Sequence, residues 1–175
     1  MITQTQAAYI ATGTDAVFTA STQSGIACSL ALSTTQTGFT LTNPAGSPVN
    51  LVLLHIDAAF TSAPAGVATL VLTANTNPLA AAVTQTTALT VRDAKLGNAT
   101  AAVGLAARAV TLPAQPSVIM GLGGPVASSS LTPEPIHVAI NGGVHVTPGC
   151  CVNVSALTTA ISAVISMIWA EVPAF

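Results

Sequence analysis

Short apolar segments separated by turn-forming residues recur along the whole chain, without the longer periods of amphipathic helices. The longest segments are Val49–Phe60 and Ile161–Val172. The first is almost continuously apolar, which is typical of a strand buried on both faces, although His55 and Asp57 interrupt it. Because short strands bounded by turn residues indicate a sandwich or a barrel, the pattern predicts an all-β protein.

The turns divide the chain into a series of candidate strands. Val67–Ala74 is expected to form a hairpin with Val49–Phe60, and Asn141-Gly142-Gly143 is expected to form a tight turn. About eight strands fit the two packed sheets of a jelly roll. The predicted strands are Asp15–Thr19, Ile26–Leu32, Gly38–Thr42, Val49–Phe60, Val67–Ala74, Ser117–Leu122, Pro135–Ile140, Cys150–Ala156 and Ile161–Val172.

The middle of the chain, Leu79–Leu112, is predicted as an Ala-rich insertion. Leu79–Val83 and Ala99–Ala109 contain enough Ala to favour short helices, and Thr86–Arg92 has the pattern of a strand or an extended loop. Residues 15–175 are expected to form one jelly-roll domain, since nothing resembles an interdomain linker. The polar segment Met1–Thr14 is predicted to be an N-terminal arm that becomes ordered on a neighbouring subunit.

Charge is scarce in this sequence. The 175 residues include 3 Lys+Arg and 5 Asp+Glu, with 51% hydrophobic residues, whereas about a quarter of the residues in an ordinary domain are charged. So few ionisable groups argue against an enzyme, and the absence of a cationic patch argues against direct contact with nucleic acid. No apolar run reaches the ~18 residues of a membrane span. A surface this poor in charge is expected to be covered by other protein subunits.

The three cysteines are Cys28, Cys150 and Cys151. Their spacing favours buried small side chains in a reducing compartment. A disulfide between the neighbouring Cys150 and Cys151, or a bridge between subunits, is the alternative. A zinc site is not expected, because no nearby His or second Cys pair completes four ligands.

Three segments resemble the small jelly-roll virion proteins of tailed bacteriophages, which include capsid decoration and cement proteins and related head and tail accessory subunits. In Thr40–Ser62 a polar turn leads into a long apolar strand, in Val146–Val154 a Pro-Gly turn precedes a strand, and Ile165–Pro173 is a closing strand near Trp-x-Glu. The resemblance implies a jelly roll, frequently trimeric, that attaches to a capsid lattice or a tail. It implies no catalytic residue.

Histidines are the first candidates for a site. His137 and His145 flank the predicted turn and would face each other in a hairpin, but their spacing lacks the motif of a cupin metal site, so we interpret them as surface or interfacial residues. His55 and Asp57 share one face of a strand. Because an unpaired buried carboxylate is costly, we expect them to form a hydrogen-bonded pair at a sheet edge or a subunit seam.

Further candidates for the subunit interface are bulky or charged. Arg92 and Asp93 belong to the only charge cluster, which is expected to be a solvated loop or an intersubunit salt bridge. Met167 and Trp169 belong to the core or to an oligomer seam. The remaining interface candidates are Tyr9, Ile10 and Phe175.

Taken together, these patterns predict a non-enzymatic virion subunit without a metal or another cofactor. Its expected partners are further copies of itself, as a homotrimer, and the major capsid protein or other virion subunits. Neither a membrane nor a nucleic acid is expected as a partner. The alternative is a receptor-binding or carbohydrate-binding tip of a tail or head fibre, for which Tyr9 and Trp169 are the available stacking side chains.

Overall fold

The computed structural model describes residues 16–30, 32–75, 83–124 and 134–174, and in these residues the protein is all-β. No helix occurs there, so none of these residues forms an apolar helix that could span a membrane. The strands are β1 (Val17–Ser21), β2 (Ile26–Ala27), β3 (Thr35–Thr42), β4 (Val49–Phe60), β5 (Leu70–Ala74), β6 (Thr84–Ala88), β7 (Arg92–Asp93), β8 (Leu105–Thr111), β9 (Ser117–Gly123), β10 (Ile136–Val146), β11 (Cys151–Ala156) and β12 (Ser162–Pro173).

These strands form two antiparallel sheets that pack as a β-sandwich. Sheet A has the order β10-β4-β12-β1-β7, with β2 pairing to β12 beyond the end of β1. Sheet B has the order β6-β8-β3-β11-β5-β9. The prediction of an all-β sandwich is therefore confirmed, with twelve described strands in place of about eight.

The core lies between the two sheets and is built from alternate residues of the long strands. Phe39 and Leu41 of β3 face Leu51 and other fully buried side chains of sheet A. Phe18 and Trp169 meet within this core with their ring centroids 6.3 Å apart. The single chain therefore buries a core without a partner. The burial of each large apolar side chain in this core stabilises the fold by about 1.5–3 kcal/mol.

A β-bulge at Leu54 changes which side chains of β4 face the core. Leu53 is opposite Trp169 and His55 is opposite Ile168, so Leu54 is the extra residue. Before the bulge the odd-numbered residues of β4 are buried, and after it the even-numbered residues are. Because a bulge reverses the alternation of a strand, the polar residues that follow Leu54 lie on the outer face of sheet A.

The hairpin expected around Asn141-Gly142-Gly143 does not form, although the positive φ that the predicted turn requires is present. These residues lie inside β10, in a bulge between the pairs Ala139–His55 and Val144–Leu53. Asn141 has a φ of 53° and Gly142 a φ of 79°, which suits residues that tolerate the left-handed region. Strand β10 therefore continues along β4 past the bulge and does not fold into a hairpin.

The prediction of a helix over Ala99–Ala109 is also wrong. Its second half belongs to β8, which lies between β3 and β6 in sheet B, and Ala106 and Ala107 are buried there. Pairing on both sides and burial override the modest helix preference of Ala. The other predicted helix, Leu79–Val83, falls mostly on residues 79–82, which lie outside the described residues.

The expected hairpin between Val67–Ala74 and Val49–Phe60 does not form. Strand β5 belongs to sheet B, where it pairs with β11 and β9, whereas β4 belongs to sheet A. The connection between them therefore crosses from one sheet to the other. The apolar pattern predicted strands at both β4 and β5, but it does not determine which of the two sheets a strand joins.

The two sheets differ in how their outer faces are covered. In sheet B the outward-facing polar residues of β3 and β11 are buried. They bond with one another: the Thr40 hydroxyl donates to Asn153 Oδ1 at 2.8 Å, and the Ser155 hydroxyl donates to Gln36 Oε1 at 2.8 Å. In sheet A the alternate residues of β4, β10 and β12 are half-buried or exposed. The central strands are therefore accessible on the outer face of sheet A and buried on that of sheet B, where β6, β8 and β9 still have exposed residues.

Candidate functional site

Three polar side chains meet on the outer face of sheet A. Asp57 Oδ1 accepts hydrogen bonds from His55 Nε2 at 2.9 Å and from His137 Nδ1 at 2.5 Å. Strand β4 supplies His55 and Asp57, two residues apart on one face, and β10 places His137 directly opposite Asp57. We call these three residues the His–Asp–His cluster.

The expected hydrogen-bonded pair of His55 and Asp57 is confirmed, and of its two expected positions the sheet edge is wrong while the subunit seam stays a prediction. Strand β4 is flanked by β10 on one side and β12 on the other, so the pair does not lie at a sheet edge. The side chains of His55 and Asp57 are each 33% exposed, and that of His137 is 63% exposed. The cluster is therefore open to solvent and to any partner that covers sheet A.

The expected facing pair of His137 and His145 does not form. Both histidines lie on β10, where His145 is opposite Val52, beyond the bulge. Because directly opposite residues of neighbouring strands share a face, His145 lies on the same side of sheet A as the cluster. All three histidines of the chain thus share one sheet face, and two of them contact Asp57.

The chemistry of the cluster is that of one acceptor between two imidazoles. In the described part of the chain, neither imidazole hydrogen-bonds a Ser, Thr or Cys side chain, and both bond Asp57. On β12 the residues opposite the cluster are Ser166, which faces Asp57, and Ile168, which faces His55. The cluster is thus bordered by uncharged side chains on that side.

The charged residues of the mid-chain segment have a local structural role. Asp93 is buried, and its carboxylate accepts hydrogen bonds from the Lys95 backbone N–H at 2.7 Å and from Asn98 Nδ2 at 2.8 Å. These bonds fix the loop that follows β7. Arg92 is exposed and is opposite Thr19 of β1, so of this pair only Arg92 offers its charge to a partner.

Glu171, which the sequence marked only as the Glu of the closing Trp-x-Glu, has a distinct structural role. This carboxylate lies at the end of β12 with 9% of the residue exposed. It accepts hydrogen bonds from the backbone N–H of Val103 at 3.0 Å and of Gly104 at 2.8 Å. It therefore clamps the loop before β8 onto the end of the sandwich. The only signal in the sequence is an acidic residue in an apolar strand.

Of the bulky interface candidates, the structure describes two. Met167 and Trp169 have no exposed surface in the single chain and belong to the core, which was the alternative left open. They have no surface to offer a second subunit. Tyr9, Ile10 and Phe175 lie outside the described residues, as does the predicted arm, Met1–Thr14.

The cysteines are buried and free. Burial raises the pKa of the Cys28 thiol to about 12. It also raises the pKa of the Cys151 thiol to about 11, an effect that hydrogen bonds with Asn75 and Asn153 oppose. Because the thiolate is the reactive form, these two side chains are inert at neutral pH. This agrees with the expectation of small buried side chains.

Comparisons with protein-family models, with curated proteins and with solved structures found no match to this chain.

Proposed function

We propose that this chain is a jelly-roll structural subunit of a tailed-phage virion, a capsid decoration or cement protein without catalytic activity. The resemblance of three sequence segments supports the virion assignment. The observation that carries the assembly role is the near absence of charge on the exposed surface of the described chain.

The strand pairing supports the jelly roll. A jelly roll arises when a long antiparallel ribbon, in which the first half of the chain pairs with the second, rolls into two sheets of Greek-key connectivity. Four nested pairs of this kind are present here: β1 with β12, β3 with β11, β4 with β10, and β5 with β9. The other strands, β2, β6, β7 and β8, extend this eight-stranded ribbon.

The surface supports an assembled state. Of the eight Lys, Arg, Asp and Glu residues, Asp15 lies outside the described residues, Asp93 and Glu171 are buried, and Asp57 is paired with two histidines. The exposed charged residues of the described chain are Arg92, Lys95, Arg108 and Glu134. Since so few ions must be desolvated, contact with other subunits carries little electrostatic cost.

Exposed apolar residues indicate where such contacts form. Strand β9 is an edge of sheet B, is uncharged, and exposes Val118 and Ile119 by 42% and 41%. A second group, Leu30, Val67 and Leu157, is exposed at loops joined to one another by backbone hydrogen bonds. Because an edge strand is a template for pairing with another chain, β9, an edge among the described strands, is the first candidate contact.

The area of the chain is sufficient for a trimer. A standard interface buries about 800 Å² per partner, and the accessible area of one chain is 8475 Å². Two such contacts per subunit would cover roughly a fifth of that area. The remaining surface would be available to a capsid lattice.

Hydrogen exchange of the backbone amides tests this proposal at the level of one strand. We expect the amides of Ser117–Gly123 to become more protected as the protein concentration rises. Val118→Glu should abolish that change, because a buried unpaired carboxylate opposes association. Thr86→Glu, an exposed residue on the opposite edge of sheet B, is the matched control. Protection of β9 that is the same at all concentrations would contradict the proposed contact.

The alternative of a carbohydrate-binding tip loses one of its two stacking candidates. Trp169 is fully buried and presents no ring face to a sugar, and Tyr9 lies outside the described residues. No second function is therefore put forward.

A further inference from the structure

We propose that the His–Asp–His cluster is a binding site for a divalent transition-metal ion, with Zn²⁺ as the best-suited ion. The inference rests on the geometry of the single chain and does not require the virion role. Its failure and the failure of the proposed function are therefore separable.

The donor set fits such an ion. The potential ligand atoms of His55, Asp57 and His137 all lie within 4.8 Å of one another. Imidazole nitrogen and carboxylate oxygen are ligands of Zn²⁺ at about 2.0–2.2 Å, and three protein ligands with an open fourth position are typical of an accessible zinc site. The solvent exposure of His137 leaves that fourth position to water or to a group from a partner.

Only small movements separate the present geometry from a bound one. A tetrahedral site with bonds of this length places neighbouring ligand atoms roughly 3.3 Å apart. The two N···O distances are now 2.9 Å and 2.5 Å, so these pairs of atoms would move apart by less than about 1 Å. The ligand nitrogens of the two histidines, which lie within 4.8 Å of each other, would approach by at most about 1.5 Å. Each neutral imidazole would bind through the nitrogen that now donates to Asp57. Its N–H would then lie on the other nitrogen, at His55 Nδ1 and at His137 Nε2.

The backbone supports the same inference independently. Without the bulge at Leu54, strict alternation from the buried Leu51 and Leu53 would direct His55 and Asp57 into the core. The bulge instead places both on the outer face of sheet A, opposite His137. Bulges are over-represented where a strand re-aims a side chain at a functional site.

The surrounding electrostatics do not oppose a cation. The residues opposite the cluster on β12, Ser166 and Ile168, are uncharged, as is Ala139 of β10, which faces His55. Arg92 lies on the same face but three strands away, across β12 and β1. At about 4.8 Å per strand this is roughly 14 Å, beyond the Debye length at physiological salt, about 8 Å.

The expected consequence of binding is a link between two strands. Among the described strands, β10 is the outermost of sheet A and pairs with β4 alone. A metal ion bound to His137 and to the two residues of β4 would fasten this edge strand. Because only the folded chain presents the three ligands together, the ion should raise the midpoint of thermal unfolding.

Metal titration of the chain, purified without a histidine tag, tests the proposal. We expect calorimetry to show one Zn²⁺ per chain, and Co²⁺ to give the visible absorption bands of a tetrahedral site. His55→Ala and His137→Ala should each weaken Zn²⁺ binding by about 100-fold, because each removes one ligand and its part of the binding free energy of the site. His145→Ala, on the same strand and the same face, is the matched control and should bind as the parent does.

Asp57→Asn separates a metal site from a purely hydrogen-bonded cluster. Asn retains an oxygen that accepts from both imidazoles, so the fold and the unfolding midpoint without metal should persist, while Zn²⁺ affinity falls. The proposal is overturned if the parent chain binds no Zn²⁺, or if His145→Ala loses binding as strongly as His137→Ala.

Discussion

The Glu171 clamp gives the sharpest stability prediction. Substitution of Glu171 by Ala removes the acceptor of the backbone N–H groups of Val103 and Gly104, which lie 67 to 68 residues away in sequence. Both backbone N–H groups would be left without a hydrogen-bond acceptor where the loop packs on the end of β12. The loop before β8 should therefore detach from the end of β12.

The magnitude follows mainly from the two short backbone hydrogen bonds, at 3.0 and 2.8 Å; the buried Trp169 indole N–H, which donates to Glu171 Oε1 at 3.4 Å, loses its acceptor as well. A hydrogen bond to a charged group contributes about 1.5–3 kcal/mol, and an unsatisfied buried donor costs about 1–3 kcal/mol. Removal of the carboxylate also relieves its own desolvation, so the net loss should be about 3 kcal/mol. For a domain of this size that lowers the melting temperature by roughly 6–12 °C.

Urea unfolding followed by circular dichroism measures this loss, and amide exchange at Val103 and Gly104 locates it. Glu171→Gln retains one acceptor oxygen and should fall between the parent and Glu171→Ala. Glu134→Ala removes an exposed carboxylate and should change the free energy of unfolding by less than about 0.5 kcal/mol. If Glu171→Ala costs less than about 1 kcal/mol, the clamp does not hold the loop.

Two further predictions concern buried positions. Gly38 has a φ of +132°, and a Cβ there would lie 2.5 Å from the Val154 carbonyl oxygen, so Gly38→Ala should destabilise the fold by more than about 3 kcal/mol. The control is Gly121→Ala, because a Cβ at Gly121 would have no atom within 4 Å. If the two variants have equal urea midpoints, the close contact at Gly38 is contradicted. The thiols of Cys28 and Cys151 should resist Ellman's reagent near pH 8 until the chain unfolds, because their pKa values are raised to about 12 and about 11. Since the unfolded thiols ionise near their ordinary pKa of 9.0 while the folded ones stay protonated, the free energy of unfolding should fall as the pH rises above about 9. Rapid labelling of all thiols in the native chain, or unchanged stability above that pH, would refute this assignment.

The long strands were predicted well, because a buried strand can be recognised from its own run of apolar residues. Val49–Phe60 coincides with β4, and Ile161–Val172 lies within one residue of β12 at both ends. The errors arose where structure depends on distant partners. The Ala-rich segment became β8 because sheet B offered it two neighbours.

The candidate site was only half predictable. The pair of His55 and Asp57 follows from their spacing on one strand. The third member, His137, depends on the register between β4 and β10, and the outward direction of all three depends on the bulge at Leu54. The apolar pattern predicts neither the register nor the bulge, because the bulge residue Leu54 is an apolar residue like its neighbours in β4.

The central claim is that subunits of this protein cover one another's charge-poor surfaces. Light scattering coupled to size-exclusion chromatography measures it most directly, as the molar mass of the native chain in solution. We predict a trimer, at about three times the 17.2 kDa of one chain. A species that keeps the mass of a single chain as its concentration is raised to the millimolar range would contradict the claim.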